Sequence, residues 1–293
     1  MRILVTGGAG QLGWELRRAL AIFGEVVAPP REILDLASAD SIVAAVRRVR
    51  PSLIVNAAAY TAVDKAESES ELAMKINGDA PRILAEEAAR RNAALIHYST
   101  DYVFDGRKAE PYREDDEAEP INVYGRTKLA GEQGVMAAKA AYLIFRTSWV
   151  YGSRGRNFFL SMLRLGRERR ELKVVDDQFG APTGAELLAD VSAHALRTAV
   201  ERPRVAGVYH VVARGETSWH GYAQHVIEFA RSAGRPIRVT GDAIVPVPTS
   251  AFPTTARRPA NSRLNTKKFR DTFGLSLPAW QLGVERMLVE MLD

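Results

Sequence analysis

Cysteine is absent from the 293 residues of the chain. Disulfides and thiolate metal sites are therefore excluded, and a reducing compartment such as the cytoplasm is the simple expectation. No apolar run approaches the ~18 residues that a membrane span requires, and Met1 leads directly into a strand-like run without a signal peptide. No membrane partner is expected. Charge of one sign is also lacking, since 40 Lys and Arg against 35 Asp and Glu leave only +5. Its densest runs, Arg47-Arg48, Arg167 to Arg170 and Lys267-Lys268, read as solvated helix faces. A nucleic-acid partner needs a continuous basic stripe and is not expected. Internal repeats and low-complexity tracts are missing too.

What the chain does have is apolar residues, 46% of the total, enough to bury a full core. The run Ile3-Leu4-Val5 reads as a buried parallel strand and opens into Gly7-Gly-Ala-Gly10-Gln11-Leu12-Gly13. Beyond it Leu12, Leu16, Ala19, Leu20 and Phe23 recur at helical spacing. Strand, glycine turn and helix in this order form the setting for a dinucleotide pyrophosphate, whose charge sits at the helix N-terminus. The second strand, Val26 to Ala28, ends in Pro29-Pro30-Arg31-Glu32. A carboxylate there holds a ribose 2′-hydroxyl, whereas an arginine suits a 2′-phosphate. Pro30 with Arg31 beside it tilts the cofactor towards NADPH, while Glu32 or Asp35 leaves NADH open.

The first half alternates short apolar runs with amphipathic helices, the rhythm of a doubly wound parallel sheet. Ser38 or Asp40 caps a helix reaching Arg50, and strand Leu53 to Asn56 follows. A helix from about Ala80 to Arg91 leads to strand Ala94 to Tyr98. At its carboxyl end stands Ser99-Thr100-Asp101, where open α/β sheets place ligands. A helix begins near Asn122 and passes Gly134, with strand Tyr142 to Arg146 beyond. It carries Tyr124 and Lys128, one turn apart and on one face. An ammonium beside a phenol lowers the phenol's pKa from its usual ~10, making it a usable acid or base.

In the order glycine turn, Ser99-Thr100, Tyr124-x-x-x-Lys128, the sequence resembles the extended short-chain dehydrogenase/reductase superfamily. Longer strings sharpen the likeness: Asn56-Ala-Ala-Ala-Tyr-Thr-Ala-Val-Asp64, Ser99-Thr-Asp-Tyr-Val-Phe104, Arg146-Thr-Ser-Trp-Val-Tyr151, Asp177-Gln-Phe-Gly-Ala-Pro-Thr183 and Ala256 to Leu264. These resemble the dTDP-4-dehydrorhamnose reductase family over essentially the whole chain. The resemblance implies a Rossmann-type doubly wound α/β fold with a smaller C-terminal substrate-binding lobe. The cofactor domain is expected over 1–149, with about 185–212 returning to it, and the lobe over about 150–184 and 213–293. The implied reaction is NADPH- or NADH-dependent reduction of the 4-keto group of a dTDP-sugar.

By motif, Gly7, Gly10, Gln11, Leu12 and Gly13 would wrap the cofactor pyrophosphate, with Asp35 and Leu36 on the adenine side. Ala59, Tyr60, Thr61 and Tyr98 would line the rest of the groove. Tyr124 would supply the proton, Lys128 would bind the nicotinamide ribose and favour the tyrosinate, and Thr100 would bond the carbonyl oxygen or Tyr124. Thr100, Asp101 and Trp149 would contact the sugar. Arg257 and Arg258 read equally as a diphosphate clamp or a surface pair. Some such reductases hold Mg²⁺ near a homodimer contact through glutamates matching Glu15, Glu186 and Glu290, three residues that otherwise read as surface acids. Two rivals share the scaffold. An epimerase keeps the Tyr and Lys, and a regulatory dinucleotide-binding subunit keeps the glycine turn while its catalytic positions drift. Dehydratases of this type carry Glu after Thr-Asp, where this chain has Tyr102.

Overall fold

Six parallel strands make the central sheet: β1 (Arg2–Thr6), β2 (Glu25–Val27), β3 (Leu53–Asn56), β4 (Ala94–Thr100), β5 (Ala141–Thr147) and, after four short strands, β10 (Gly207–His210). The short ones are β6 (Val150–Tyr151), β7 (Leu172–Val175), β8 (Phe179–Gly180) and β9 (Thr183–Gly184), and β11 (Thr217–Ser218) and β12 (Ile244–Val247) complete the set. The helices are α1 (Gln11–Leu20), α2 (Ala39–Val49), α3 (Val63–Ala66), α4 (Ser70–Met74), α5 (Ala80–Arg90) and α6 (Val123–Ala137), then α7 (Phe158–Glu168), α8 (Ala185–Glu201), α9 (Trp219–Ser232), α10 (Lys267–Phe273) and α11 (Trp280–Leu292). The computed structural model describes residues 1–201 and 203–292.

The sheet runs β10-β5-β4-β3-β1-β2. Its winding reverses between β1 and β3, so a crevice opens at their carboxyl ends, where doubly wound sheets bind ligands. β1 shows why these residues choose this place. Ile3 and Val5 pack into the core under α1 and α8, and Leu4 packs into the core under α2 and α5, so both faces are covered. Ser38 caps α2 by accepting from the Ser41 N–H, and Asn122 caps α6 by accepting from the Gly125 N–H. α1 presents Leu12, Leu16, Ala19 and Leu20 to the sheet, the stripe expected from its spacing.

A second core lies beyond β5, where α7, α9 and α11 bury Phe159, Leu163, Tyr222, Val226, Trp280 and Val284 together. Three two-stranded ladders tie its loops down: β12 with β7, β11 with β8, and β6 with β9. α10 behaves differently from its neighbours in sequence, since Phe269 and Phe273 pack onto the sheet core beside Phe145 and Tyr209. At the β10 edge, Lys268 Nζ donates to the Val208 carbonyl at 2.8 Å and the His210 N–H donates to Glu114 at 2.9 Å.

Candidate functional site

The turn after β1 forms a cradle for a diphosphate. Gly7 has φ +67° and lies so close to Ala58 that a Cβ would come within 2.9 Å of its backbone. At Gly13 a Cβ would meet the Gly7 carbonyl oxygen at 2.1 Å, so only glycine lets α1 start this near the strand. A cavity of about 250 Å³ lies over this turn, lined by Gly7, Gly10, Arg31, Asp35, Leu36 and Ala59 among others. Five of the expected cofactor residues therefore share one crevice at the switch point. Gln11 accepts from Asn157 at 2.7 Å, which pins the loop before α7 across the start of α1, and Leu12 is buried beneath.

The loop after β3 is held from two sides. Thr6 Oγ1 accepts from the Ala58 N–H at 3.1 Å and donates to Asn56 Oδ1 at 2.6 Å. Asn56 Nδ2 then donates to His97 Nδ1 at 3.0 Å, which fixes a neutral imidazole with its proton on Nε2. On the other side, Asn77 accepts from the Tyr60 N–H at 2.8 Å and donates to the Tyr60 carbonyl at 3.0 Å. The same amide reaches Thr127 of α6 at 3.2 Å. Asn77 sits in a π-helical turn, Lys75–Asp79, a local widening that often marks a functional site. Ala59, Tyr60 and Thr61 are thus presented as a fixed rim. Nothing in the sequence pointed to Asn77, whose only signal was an Asn-Gly pair inside a helical stretch.

Tyr124 and Lys128 share a face of α6 as their spacing required, but they do not tune each other as expected. Burial pushes the Tyr124 phenol up to about 12, a hydrogen bond from Thr100 opposes that rise, and the nearby Asp101 reinforces it. Lys128 turns its Nζ to the Tyr98 carbonyl at 2.6 Å, and burial brings its pKa down to about 8. A lysine stem spans several ångströms, so a shared helix face does not fix where its ammonium ends. At neutral pH Tyr124 is therefore a protonated phenol.

Other expected residues are placed differently from their motif roles. The Tyr98 phenol is buried away from the crevice against Ser192 at 2.6 Å, leaving only its carbonyl at the site. Asp101 is 3% exposed and turns its carboxyl inward, where burial raises its pKa to about 7 against the hydrogen bonds of Ser262 and Thr100. Trp149 holds φ +49°, a left-handed conformation rare for so bulky a residue. Its ring stacks on Trp219 at 3.6 Å and lies against Gly180, so its face is covered where stacking on a sugar was expected. Trp219 was not singled out by the sequence. With Phe158, Lys173, Gln178, Thr249 and Arg258 it lines a separate cavity of about 260 Å³.

Arg258 is neither free nor on the surface: it pairs with Asp64 at 2.7 Å, and Asp64 also accepts from the Ala256 N–H at 3.1 Å. Asn122 donates to the Arg257 carbonyl at 2.8 Å, so the late segment is fastened to the start of α6. Glu15, Glu186 and Glu290 do lie in one region, but Arg18 and Arg286 neutralise them at 3.1, 3.4 and 3.0 Å. Among the described residues no group of three or more His, Asp or Glu side chains is arranged to hold a metal ion. The arrangement thus gives no support to Mg²⁺, and the three glutamates read as acids paired with guanidiniums.

A crevice of this kind beside a half-buried tyrosine, on a sheet wound in this order, defines an extended short-chain dehydrogenase/reductase. Comparison with known proteins narrows the class. The family model for the RmlD substrate binding domain matches residues 1–292. A dTDP-4-dehydrorhamnose reductase from Escherichia coli (strain K12) is 54% identical over 99% of this chain and 98% of its own. Another from Burkholderia thailandensis is 47% identical with 100% of both chains covered. Among solved structures, a dTDP-4-dehydrorhamnose reductase from Bacillus anthracis in complex with NADP superposes with TM-score 0.89, at 36% identity and 99% coverage of both chains. The chain belongs to the dTDP-4-dehydrorhamnose reductase family.

Proposed function

We propose that the protein reduces the 4-keto group of dTDP-4-dehydro-β-L-rhamnose to give dTDP-β-L-rhamnose, the last step in making that sugar donor. The observation that carries the reading is Tyr124, a phenol that burial holds at about 12, on the helix that flanks the glycine crevice and one turn from Lys128. A reduced nicotinamide supplies hydride to C4 when bound. Tyr124 gives its proton to the oxygen on which charge develops. Thr100 donates to that oxygen or to the tyrosinate, stabilising charge where it grows. Lys128, whose ammonium donates to the Tyr98 carbonyl at 2.6 Å, would bind the nicotinamide ribose hydroxyls.

Arg31 favours NADPH over NADH. It lines the crevice beside Pro29 and Pro30, where a ribose-binding carboxylate would otherwise stand. Asp35 is 3.7 Å from Arg31 and screens it only in part. The lobe built on α7, α9 and α11, with the cavity beneath Trp219, is the proposed seat of the sugar nucleotide, and residues 1–149 with 185–212 form the cofactor domain. Asp64 and Asn122 would then hold the late segment across the boundary between them.

The test is to follow oxidation of NADPH and NADH separately with dTDP-4-dehydrorhamnose, and to identify the sugar by NMR. The expected result is a dTDP-rhamnose product with the higher kcat/KM for NADPH. No coenzyme oxidation, or an epimerised keto-sugar with tightly held NAD⁺, overturns the reading.

A further inference from the structure

A cavity of about 370 Å³ lies between the chain linking β10 to β11 and the segment from Arg263 to Leu277. None of its walls belongs to the crevice over the glycine turn or to the cavity beneath Trp219. Arg214, Arg263 and Arg270 line it together with the hydroxyl-bearing Thr266 and Ser276. The only carboxylate among the described residues that line it is Glu216, and Arg263 engages that acid at 3.0 Å. The side chains of Arg214 and Arg270 make no ion pair or hydrogen bond among the described residues. Elsewhere Arg18, Arg146, Arg258 and Arg286 are each paired with a carboxylate. Two guanidiniums without a counter-charge thus share one concavity, and a cleft lined by one sign of charge concentrates ions of the other.

The three arginines stand on backbone that is held in place. Arg263 donates to Asn261 Oδ1 from both its Nε, at 2.8 Å, and its own N–H, at 3.0 Å. Its carbonyl accepts from the Tyr112 N–H at 2.8 Å, and a terminal NH₂ reaches the Ala109 carbonyl. Arg214 is bridged to the chain ahead of α11, donating its N–H to the Pro278 carbonyl at 2.8 Å and accepting from the Trp280 N–H at 3.0 Å. Arg270 lies on α10, which Phe269 and Phe273 anchor in the sheet core. Beneath them Val212, Ala213, Leu264 and Leu277 are buried, so an apolar floor carries a cationic rim. A rim fixed in this way loses little freedom when an anion binds.

We propose that this cavity is an accessory site for the phosphoryl group of a small molecule, separate from the coenzyme and sugar-nucleotide sites. Guanidinium forks match phosphoryl oxygens two at a time, a fit that a lysine ammonium lacks. A phosphate monoester brings a charge of about −2 at neutral pH, which answers the two unpaired arginines, whereas a simple carboxylate brings only half of that. The volume falls within the roughly 300–1,000 Å³ of small-molecule sites. A nucleic-acid backbone would need a continuous basic stripe, and this is a single bounded pocket. The site stands whether or not the reductase reading holds, because it uses none of the residues on which that reading depends.

The experiment is a calorimetric titration of the full chain with NADP⁺ saturating, so that the coenzyme crevice is already filled. Inorganic pyrophosphate, 5′-AMP and acetate are the probes. Pyrophosphate and 5′-AMP are expected to bind once per chain with Kd of roughly 1 mM or tighter, and acetate not measurably. The tighter of the two phosphates tells a free diphosphate from a nucleotide as the source of the group. Arg214→Ala and Arg270→Ala should each weaken binding by about tenfold, the size of one charge-assisted hydrogen bond. Arg170→Ala removes the same charge from an exposed position after α7 and should leave Kd within about twofold. No saturable binding in the wild type, equal binding of acetate, or equal weakening by Arg170→Ala overturns the proposal. Should Arg214→Ala fail to fold, Arg270→Ala at its exposed position on α10 decides, and an unchanged Kd there overturns it. A chain that does not oxidise coenzyme with the keto-sugar removes the reductase reading and leaves these titrations as they are.

Discussion

At the scale of single residues, acid strength here is set by burial more than by partners. Tyr124 sits at about 12 and Lys128 at about 8, both moved chiefly by exclusion of water. Replacing Tyr124 with Phe keeps the ring that packs edge-on against Tyr102 and removes only the hydroxyl. Turnover should fall by about 10²–10⁴-fold with coenzyme affinity nearly unchanged, read by single-turnover kinetics and fluorescence titration. Near-normal turnover would remove Tyr124 from the chemistry. The identity of Tyr124, Lys128 and Thr100 was legible because type, order and spacing all agreed. The partner of the Lys128 ammonium was not, because one helical turn fixes a direction and leaves four rotatable bonds undecided. The inward turn of Asp101 was hidden for a related reason: Ser262, which lowers its pKa, comes from a segment about 160 residues away.

At the scale of elements, α6 carries the site, and a buried ion pair fastens it to β5. Glu132 accepts from Arg146 Nε at 2.9 Å and from the terminal NH₂ at 2.7 Å, with side chains 0% and 6% exposed. Arg146 also lies 5.1 Å from the Phe104 ring centre. Glu132→Ala would strand a guanidinium in the core and should cost about 3–5 kcal/mol in urea denaturation, whereas replacing both residues by apolar ones should cost far less. Equal losses in the single and double variants would contradict this account. Most strands and longer helices of the first half, and α8 beyond it, were legible to within a few residues, as β3 and α8 show, whereas the short α3 and α4 were not. Leu53 to Asn56 is a continuous apolar run closed by a polar residue, and Ala185 to Val200 is a long amphipathic stretch. Glu132 was not legible, since on a helix of mixed polarity it looks like any exposed acid. The ladder of β7 with β12 was equally hidden, because four-residue strands about 70 positions apart leave no local signal.

At the scale of the whole molecule, three deeply buried groups contribute to the response to acid. Burial holds His97 well below its usual value and His210 at about 3, so both are neutral in the fold. Unfolded, each takes up a proton below ~6.5, and their contribution to stability is lost as pH falls from that point. Asp101 works in the opposite sense: with its pKa raised to about 7, it favours the fold as pH drops from 7 towards 4. Two protons gained on unfolding less one released leaves a net of one, about 1.4 kcal/mol per pH unit between pH 6 and 4.5. The urea midpoint should therefore be lower at pH 5 than at pH 7, and His210→Gln should flatten the slope by one proton. A midpoint rising on acidification would contradict the assignment. The alternation of strands and helices that gives the sheet was written plainly in the first half of the chain, whereas the return of α10 to the sheet core through Phe269 and Phe273 was not. The final strand of that sheet bears on crowding. Its Val208 carbonyl and His210 amide are already engaged by Lys268 and Glu114. A neighbouring polypeptide meeting that flank finds those two main-chain groups occupied, so growth of the sheet from one molecule into the next is blocked there by the protein's own side chains.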